Sequence, residues 1–480
     1  MELDVLVCST SGKPVFRHKV STSSDNRPPE EDDDSSTSSF ASSLQGLLSF
    51  VACTQHEELL ELRAADCRCV FRSSDSLTFA AIERSVHEDT GGVHNGETPS
   101  VASECLQHLL RLLQHQILFV LSDRGLDVLR RQPGYDLREL LSGTERVTRS
   151  LTELWASTPS VRFKDCGVPF VRLKPERRRE VARALEFEAP RENTTTTTTT
   201  TTTTMICGLL LAKEKVVAVA QPNKKQFSML VDDLLLLINF VYHTPSLEKS
   251  ETWTPICLSN FNASGFLYAY VVFLTSDVCL LLLSSQQSPE QFPHFQAKKD
   301  FVKQRLEEIG AMEAIDASVK NHSEWRPHSD LPLLHHFVYK NELTGECAEP
   351  DLSFPFDDRD FSTRLQLLNQ YAKVHHLMFP TPAEPQSRES QVLGKRLSSL
   401  QESTAARMVY ERSDTGLFVG MCSADYRLYV WFDSLATVSD AREQMQVLLD
   451  RLRHDEELMS VALFLSGGGF PSVSSLGMWP

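Results

Sequence analysis

An order of secondary-structure signals that recurs three times along the 480 residues constrains this chain more than any other feature. In the first region Leu3, Val5 and Val7 alternate as a strand, Ser11-Gly12 turns, and residues 14–18 return. Phe40, Leu44, Leu47, Leu48 and Val51 then fall on one helical face, at i, i+4, i+7, i+8 and i+11. Short strands follow over 60–64, 68–72 and 77–82, and a helix over 101–118 closes the set. The second region repeats this order. Strands over 206–211 and 216–220 flank Lys213-Glu214-Lys215, and Val231, Leu234, Leu235, Ile238 and Val241 make the helix. Strands over 255–258, 265–273 and 278–284 lead to a helix carrying Val302, Leu306 and Ile309. The third region has a strand over 333–339 and a helix with Phe361, Leu365 and Leu368. Strands follow over 407–412, 416–421 and 426–432, and the last helix opens with Thr437-x-x-Asp440, a capping box. Strand-strand-helix-strand-strand-strand-helix units make antiparallel sheets flanked by helices, an α+β class. Small sheets of this kind leave edges and helical faces for partners.

Composition places the boundaries. Residues 21–39 are rich in Ser, Asp, Glu and Pro and predict a disordered insertion. An unbroken threonine run, Thr194 to Thr204, predicts a linker, and residues 380–390 a proline-rich loop. The expected plan is a first domain over 1–158, a basic segment and poly-Thr linker over 159–204, and a second domain over 205–325. A third domain covers 330–465, followed by an atypical flexible tail over 466–480.

With a net charge of -16, the chain has no cation excess for nucleic acid, and none is expected as a partner. Its 11 cysteines are odd in number and several sit in apolar stretches, as expected of reduced thiols in a cytoplasmic protein. No stretch of about 18 apolar residues occurs and the N-terminus does not read as a signal peptide, so any membrane contact is expected to be peripheral.

The segment Tyr135-Asp-Leu-Arg-Glu-Leu-Leu-Ser-Gly-Thr-Glu-Arg-Val-Thr148 resembles the most recognisable stretch of the Mon family of vacuolar fusion proteins. Ser11-Gly-Lys-Pro-Val15, Trp253-Thr-Pro-Ile-Cys-Leu258, Phe261-Asn-Ala-Ser-Gly-Phe266 and His335-His336-Phe-Val-Tyr-Lys340 match in the same order. The resemblance implies three longin-like domains and a heterodimer with a Ccz-type longin subunit, made largely through the first longin domains. It implies guanine-nucleotide exchange on a late-endosomal Rab GTPase, recruitment by an early-endosomal Rab, and contact with an anionic phosphoinositide membrane surface. The setting it implies is endosomal, vacuolar or lysosomal, with roles in endosome maturation, fusion and autophagy. A longin-fold tether or coat subunit without exchange activity is the alternative.

Motifs for covalent chemistry are not found in the sequence. It has no phosphate-cradling Gly-x-x-x-x-Gly-Lys loop and no Gly-x-Ser-x-Gly elbow, and Cys105, His108 and His115 lack a fourth ligand. No cofactor, metal or catalytic residue is therefore expected. An exchange factor needs only to bind the nucleotide-free GTPase better than the bound form. The candidate partner or Rab surface is the first-domain helix with Gln45, Ser49 and Phe50, and the strand with Cys69, Phe71 and Arg72. The candidate lipid contacts are Lys174, Arg177, Arg178 and Arg179, with Lys298 and Lys299. For those basic runs a solvated helix face with acidic neighbours is the competing reading.

Overall fold

The computed structural model describes residues 2–20, 34–64, 67–84, 100–162, 167–186, 205–221, 229–287, 290–322, 325–342, 345–352, 361–379, 408–455 and 457–458. The threonine run, the stretch at 380–390 and the tail over 466–480 lie outside them, as do residues 21–33 of the acidic insertion. The remainder of that insertion, from Asp34 on, belongs to a helix.

The first two repeats carry their strands and helices in the expected order, and the third adds a short strand, Glu346–Ala348, that the sequence pattern does not place. The first contains β1 (Glu2–Ser9), β2 (Pro14–Val20), α1 (Asp34–Gln55), β3 (Glu61–Arg63), β4 (Cys67–Ser73), β5 (Leu77–Arg84) and α2 (Ser100–Arg131). After the helices α3 (Glu145–Ser157) and α4 (Pro159–Arg162) come a two-residue strand, β6 (Val168–Pro169), and α5 (Pro175–Leu185). The second repeat is β7 (Met205–Ala212), β8 (Lys215–Ala220), α6 (Val231–His243), β9 (Thr252–Ile256), the short helix α7 (Ser259–Asn262), β10 (Leu267–Phe273), β11 (Val278–Ser284) and α8 (Gln291–Glu308), followed by α9 (Ala311–Lys320). The third is β12 (Leu334–Asn341), β13 (Glu346–Ala348), α10 (Phe361–Met378), β14 (Met408–Ser413), β15 (Gly416–Cys422), β16 (Tyr426–Phe432) and α11 (Val438–His454).

The sheets run β2-β1-β5-β4-β3, β8-β7-β11-β10-β9 and β14-β15-β16-β12-β13-β6. Counted within each repeat, the order of the five strands is the same three times: second, first, fifth, fourth, third. The sixth strand of the last sheet is the linker strand β6, which pairs in parallel with β13 through Val168 and Glu346. Two residues further on Val171 donates its N–H to Val216 in β8 at 2.9 Å. One linker thus stitches the second sheet to the third. Gly167 permits this, because a Cβ there would lie 2.6 Å from the Gly345 carbonyl and 2.8 Å from the Cys347 nitrogen.

A helix lies on each face of each sheet, and the layers explain the helix compositions. Leu234, Leu235, Leu236, Leu237 and Ile238 make α6 apolar almost all round, the pattern of a helix covered on every side. It lies between its own sheet and α2 and α3 of the first repeat, in one core that joins the two domains. Helix α10 packs on the third sheet and also against α2, α3 and α4. The basic segment is packed structure too: Val181 and Leu185 of α5 cover the second sheet beside Phe295, Val302 and Leu306 of α8. Among the described residues no helix is long and apolar enough to cross a membrane.

Candidate functional site

Helices α1, α6 and α10 occupy the same place in their repeats, after the first hairpin, but only two of them are covered by another domain. Ala41, Leu44 and Leu48 bury one narrow stripe of α1 on its own sheet, against Leu6, Cys8, Phe71, Ala80 and Ile82. Arg17 anchors the start of the helix: it donates to both oxygens of the buried Asp4 at 3.1 and 2.7 Å and to Thr37 Oγ1 at 3.2 Å. The opposite side of α1 faces solvent. Phe50 is 64% exposed and Leu47 38%, and the same domain exposes Leu60 and Leu62 beside its edge strand. A free Phe offers roughly 2 kcal/mol of burial to a partner.

The structure divides the residues expected at this surface. Ser49 and Phe50 are exposed together on α1. Gln45 is half-buried, its Oε1 accepting from Thr78 Oγ1 at 3.0 Å. Cys69 and Phe71 belong to the core beneath α1, since alternate residues of β4 share the inward face, and burial pushes the Cys69 thiol up to about 11. Arg72 projects from the other face of the sheet, where its Nε donates to Gln114 Oε1 of α2 at 2.7 Å. Leu47, assigned to the core by its helical spacing, is instead among the exposed residues.

The two basic candidates, distant in sequence, come together. Helices α5 and α8 pack side by side, and Lys298 Nζ donates to the Glu186 carbonyl just beyond α5 at 2.5 Å. Lys174 and Arg179 are exposed, and Arg177 is half-buried and pairs with Glu180 at 3.2 Å. Phe301 on α8 is 53% exposed beside Lys298, whose ammonium lies 4.9 Å from its ring centroid. Two members are structural. Arg178 is buried, pairs with Glu346 of β13 at 3.1 Å and donates to the Val171 carbonyl at 2.8 Å, so it ties α5 to the third sheet. Lys299 pairs with Glu251 at 2.6 Å and with Asp300 at 3.1 Å, and it holds the Glu251 carboxyl below the usual range.

No set of three metal-ligating side chains occurs among the described residues. Cys105 and His108 are buried on α2, and His108 Nδ1 lies 3.0 Å from Arg111 Nη2. A larger cavity, of about 570 Å³, lies where the three domains meet, between the β7–β8 turn, α4 and the strand β13.

Three matching repeats and three sheets of one topology agree with three family models. The first longin domain of FUZ, MON1 and HPS1 matches residues 4–151, the second 203–303 and the third 333–456. The chain belongs to this longin family. Among longin relatives, it is 26% identical over 462 residues to the vacuolar fusion protein MON1 homolog A of Bos taurus, covering 95% of this chain and 71% of the relative. For the Homo sapiens homolog A the identity is 25% over 462 residues, and the chain spans 60% of that protein's length. The vacuolar fusion protein MON1 of Cryptococcus neoformans is 29% identical over 274 residues, 56% of this chain and 41% of the relative. The three longin domains are thus an α+β scaffold in which, among the described residues, α6 and α10 carry the main interdomain contacts of the three equivalent helices and α1 packs chiefly on its own sheet.

Proposed function

We propose that the chain acts in membrane trafficking as one subunit of a heterodimeric guanine-nucleotide exchange factor, with a Ccz-type longin partner and a late-endosomal Rab as its substrate. The observation that carries this is the open face of α1. The matching helices α6 and α10 are consumed by interdomain packing, whereas α1 presents Phe50, Leu47 and Ser49 to solvent. A helix face of this kind suits a second longin domain, and the composite surface suits a GTPase switch loop. Exchange then rests on differential binding, without a covalent step. The names of the vacuolar fusion relatives support a place at the endosome, vacuole or lysosome. The juxtaposed α5 and α8, with Lys174, Arg179, Lys298 and Phe301, support contact with an anionic lipid surface, and an early-endosomal Rab is the proposed recruiter.

The test is release of fluorescent GDP from a late-endosomal Rab with this chain, with the Ccz-type subunit, and with both. Acceleration by the pair alone is expected. A pair that forms but leaves release at the intrinsic rate replaces exchange with tethering.

A further inference from the structure

Helix α2 runs for 32 residues and is broken at Ser122, whose backbone stands at φ 57 and ψ 170. That region belongs almost entirely to glycine. The residue is fully buried and its hydroxyl has no hydrogen-bond partner among the described residues, so no local side-chain bond accounts for the conformation. Neither Pro nor Gly occupies the break itself, the commonest causes of a sharp kink.

The hydrogen bonds around the break show what holds it. In a continuous helix the N–H of Asp123 donates to the carbonyl of Phe119, four residues earlier. Here both groups are taken by the second domain instead. Cys257 N–H donates to the Phe119 carbonyl at 2.8 Å, and Asp123 N–H donates to the Ala263 carbonyl at 2.8 Å. One intrahelical bond has been exchanged for two bonds across the domain boundary. The loop that supplies them is itself braced, as the Cys257 thiol lies 3.4 Å from the carbonyls of Asn262 and Ala263. Beyond the break the second half of α2 carries Arg130 to Asp75, in the turn between β4 and β5, at 3.1 Å.

We infer that α2 is a two-state helix: docking of the second longin domain holds it bent at Ser122, and release of that domain lets the Asp123–Phe119 bond close and the helix straighten. The groups needed for both states are present at one place, which is what a bistable element requires. Straightening moves Arg130 away from Asp75, so the first domain registers whether the second is docked. A partner that separates the two domains therefore alters the β4–β5 turn without touching it.

The test compares Ser122→Gly and Ser122→Ala in the full chain by hydrogen exchange of the Cys257 amide, which is bonded to Phe119 only in the bent state, with the Asp123 amide as the internal reference. Glycine accepts the bent conformation and disfavours a continuous helix, whereas alanine does the reverse. Exchange at Cys257 is expected to slow about tenfold in S122G and to quicken about tenfold in S122A, while Asp123, bonded in both states, stays protected in each. Far-UV circular dichroism and thermal melts confirm that each variant is folded. Changes of the same sign at Cys257 in the two variants, or none in either, overturn the inference. A variant that melts early but keeps protection at Cys257 equal to that of the parent, or an S122A variant that loses protection at Asp123, overturns it as well.

Discussion

Replacing Asn239 tests whether the first two domains are held by a specific polar lock or only by their shared apolar core. Asn239 lies on α6 and is 2% exposed. Its Oδ1 accepts from Ser150 Oγ of α3 at 2.8 Å, and its Nδ2 donates to the Val147 carbonyl at 2.7 Å. The Ser150 hydroxyl also lies 2.9 Å from that carbonyl and can turn its single proton to it, so Ala at 239 does not strand every group. Two buried hydrogen bonds at about 1 kcal/mol each, plus the truncated side chain, give a cost of roughly 2–3 kcal/mol for Asn239→Ala. Asn239→Asp is worse at neutral pH, by about 1–3 kcal/mol more, because it sets a buried carboxylate oxygen against the Val147 carbonyl. Acid partly rescues that variant, since a protonated carboxyl regains a donor. Ser150→Ala alone costs about 1 kcal/mol, and the double variant loses less than the sum, because the Ser150–Asn239 bond can be lost only once. Native-state hydrogen exchange across α3 and α6 reads these values as local opening free energies. An N239A variant within about 0.5 kcal/mol of the parent, or N239D no worse than N239A, refutes the lock and leaves apolar packing as the whole of the junction.

Other perturbations separate the remaining parts. Gly167→Val should cost about 1–3 kcal/mol by overpacking against backbone, and should raise exchange in β6 and β13 before it affects the first sheet. Asp233 is buried on α6 with one oxygen accepting from Asn260 at 2.9 Å, and burial raises its carboxyl to about 6. Between pH 4 and 6 the folded state holds a proton that the unfolded state has lost, so stability falls as pH rises through that window. Asp233→Asn should therefore stabilise the protein at pH 7 by about 2–3 kcal/mol and flatten the slope of Tm between pH 4 and 6. Arg178→Ala should destabilise by about 3–5 kcal/mol, because it removes the buried guanidinium that faces the Glu346 carboxylate, whereas Arg179→Ala should change Tm little and weaken binding to anionic vesicles. Phe50→Asp should leave stability within about 0.5 kcal/mol but abolish capture of a Ccz-type subunit in a pull-down.

Which parts of the fold were legible in the sequence follows from the length of each signal. The alternating run of β1, the long apolar runs of β10 and β11 and the 3.6-residue stripe of α1 predict themselves, and the three-fold order identifies the longin repeats. The capping box at Thr437 and Asp440 forms as its spacing implies, with both reciprocal bonds present. The two-residue β6 and the three-residue β13 stand in no longer apolar run and are invisible, and with them the stitch between the second and third sheets. The basic segment hid a helix because charge dominates its composition. Even so, Arg178, Val181 and Leu185 are spaced at i, i+3 and i+7, which places that arginine on the buried stripe and its neighbour Arg179 off it.

The candidate surface depended on a fact no single domain contains. Strand alternation puts Cys69 and Phe71 on one face and Arg72 on the other, but it does not say which face α1 covers. The spacing of α1 likewise admits Leu47 to the apolar stripe, and the sheet proves too narrow to reach it. What distinguishes α1 from α6 in sequence is the width of the apolar surface. Helix α6 is apolar through five consecutive residues, Leu234 to Ile238, whereas α1 intersperses Ser42, Ser43, Gln45 and Gly46 between its buried positions. A helix covered by its sheet alone needs one stripe, and a helix covered on two sides needs two. On that rule Phe50, outside the buried stripe and facing no second domain among the described residues, is the residue on which the proposed partner contact rests, while Cys69 and Phe71 belong to the core.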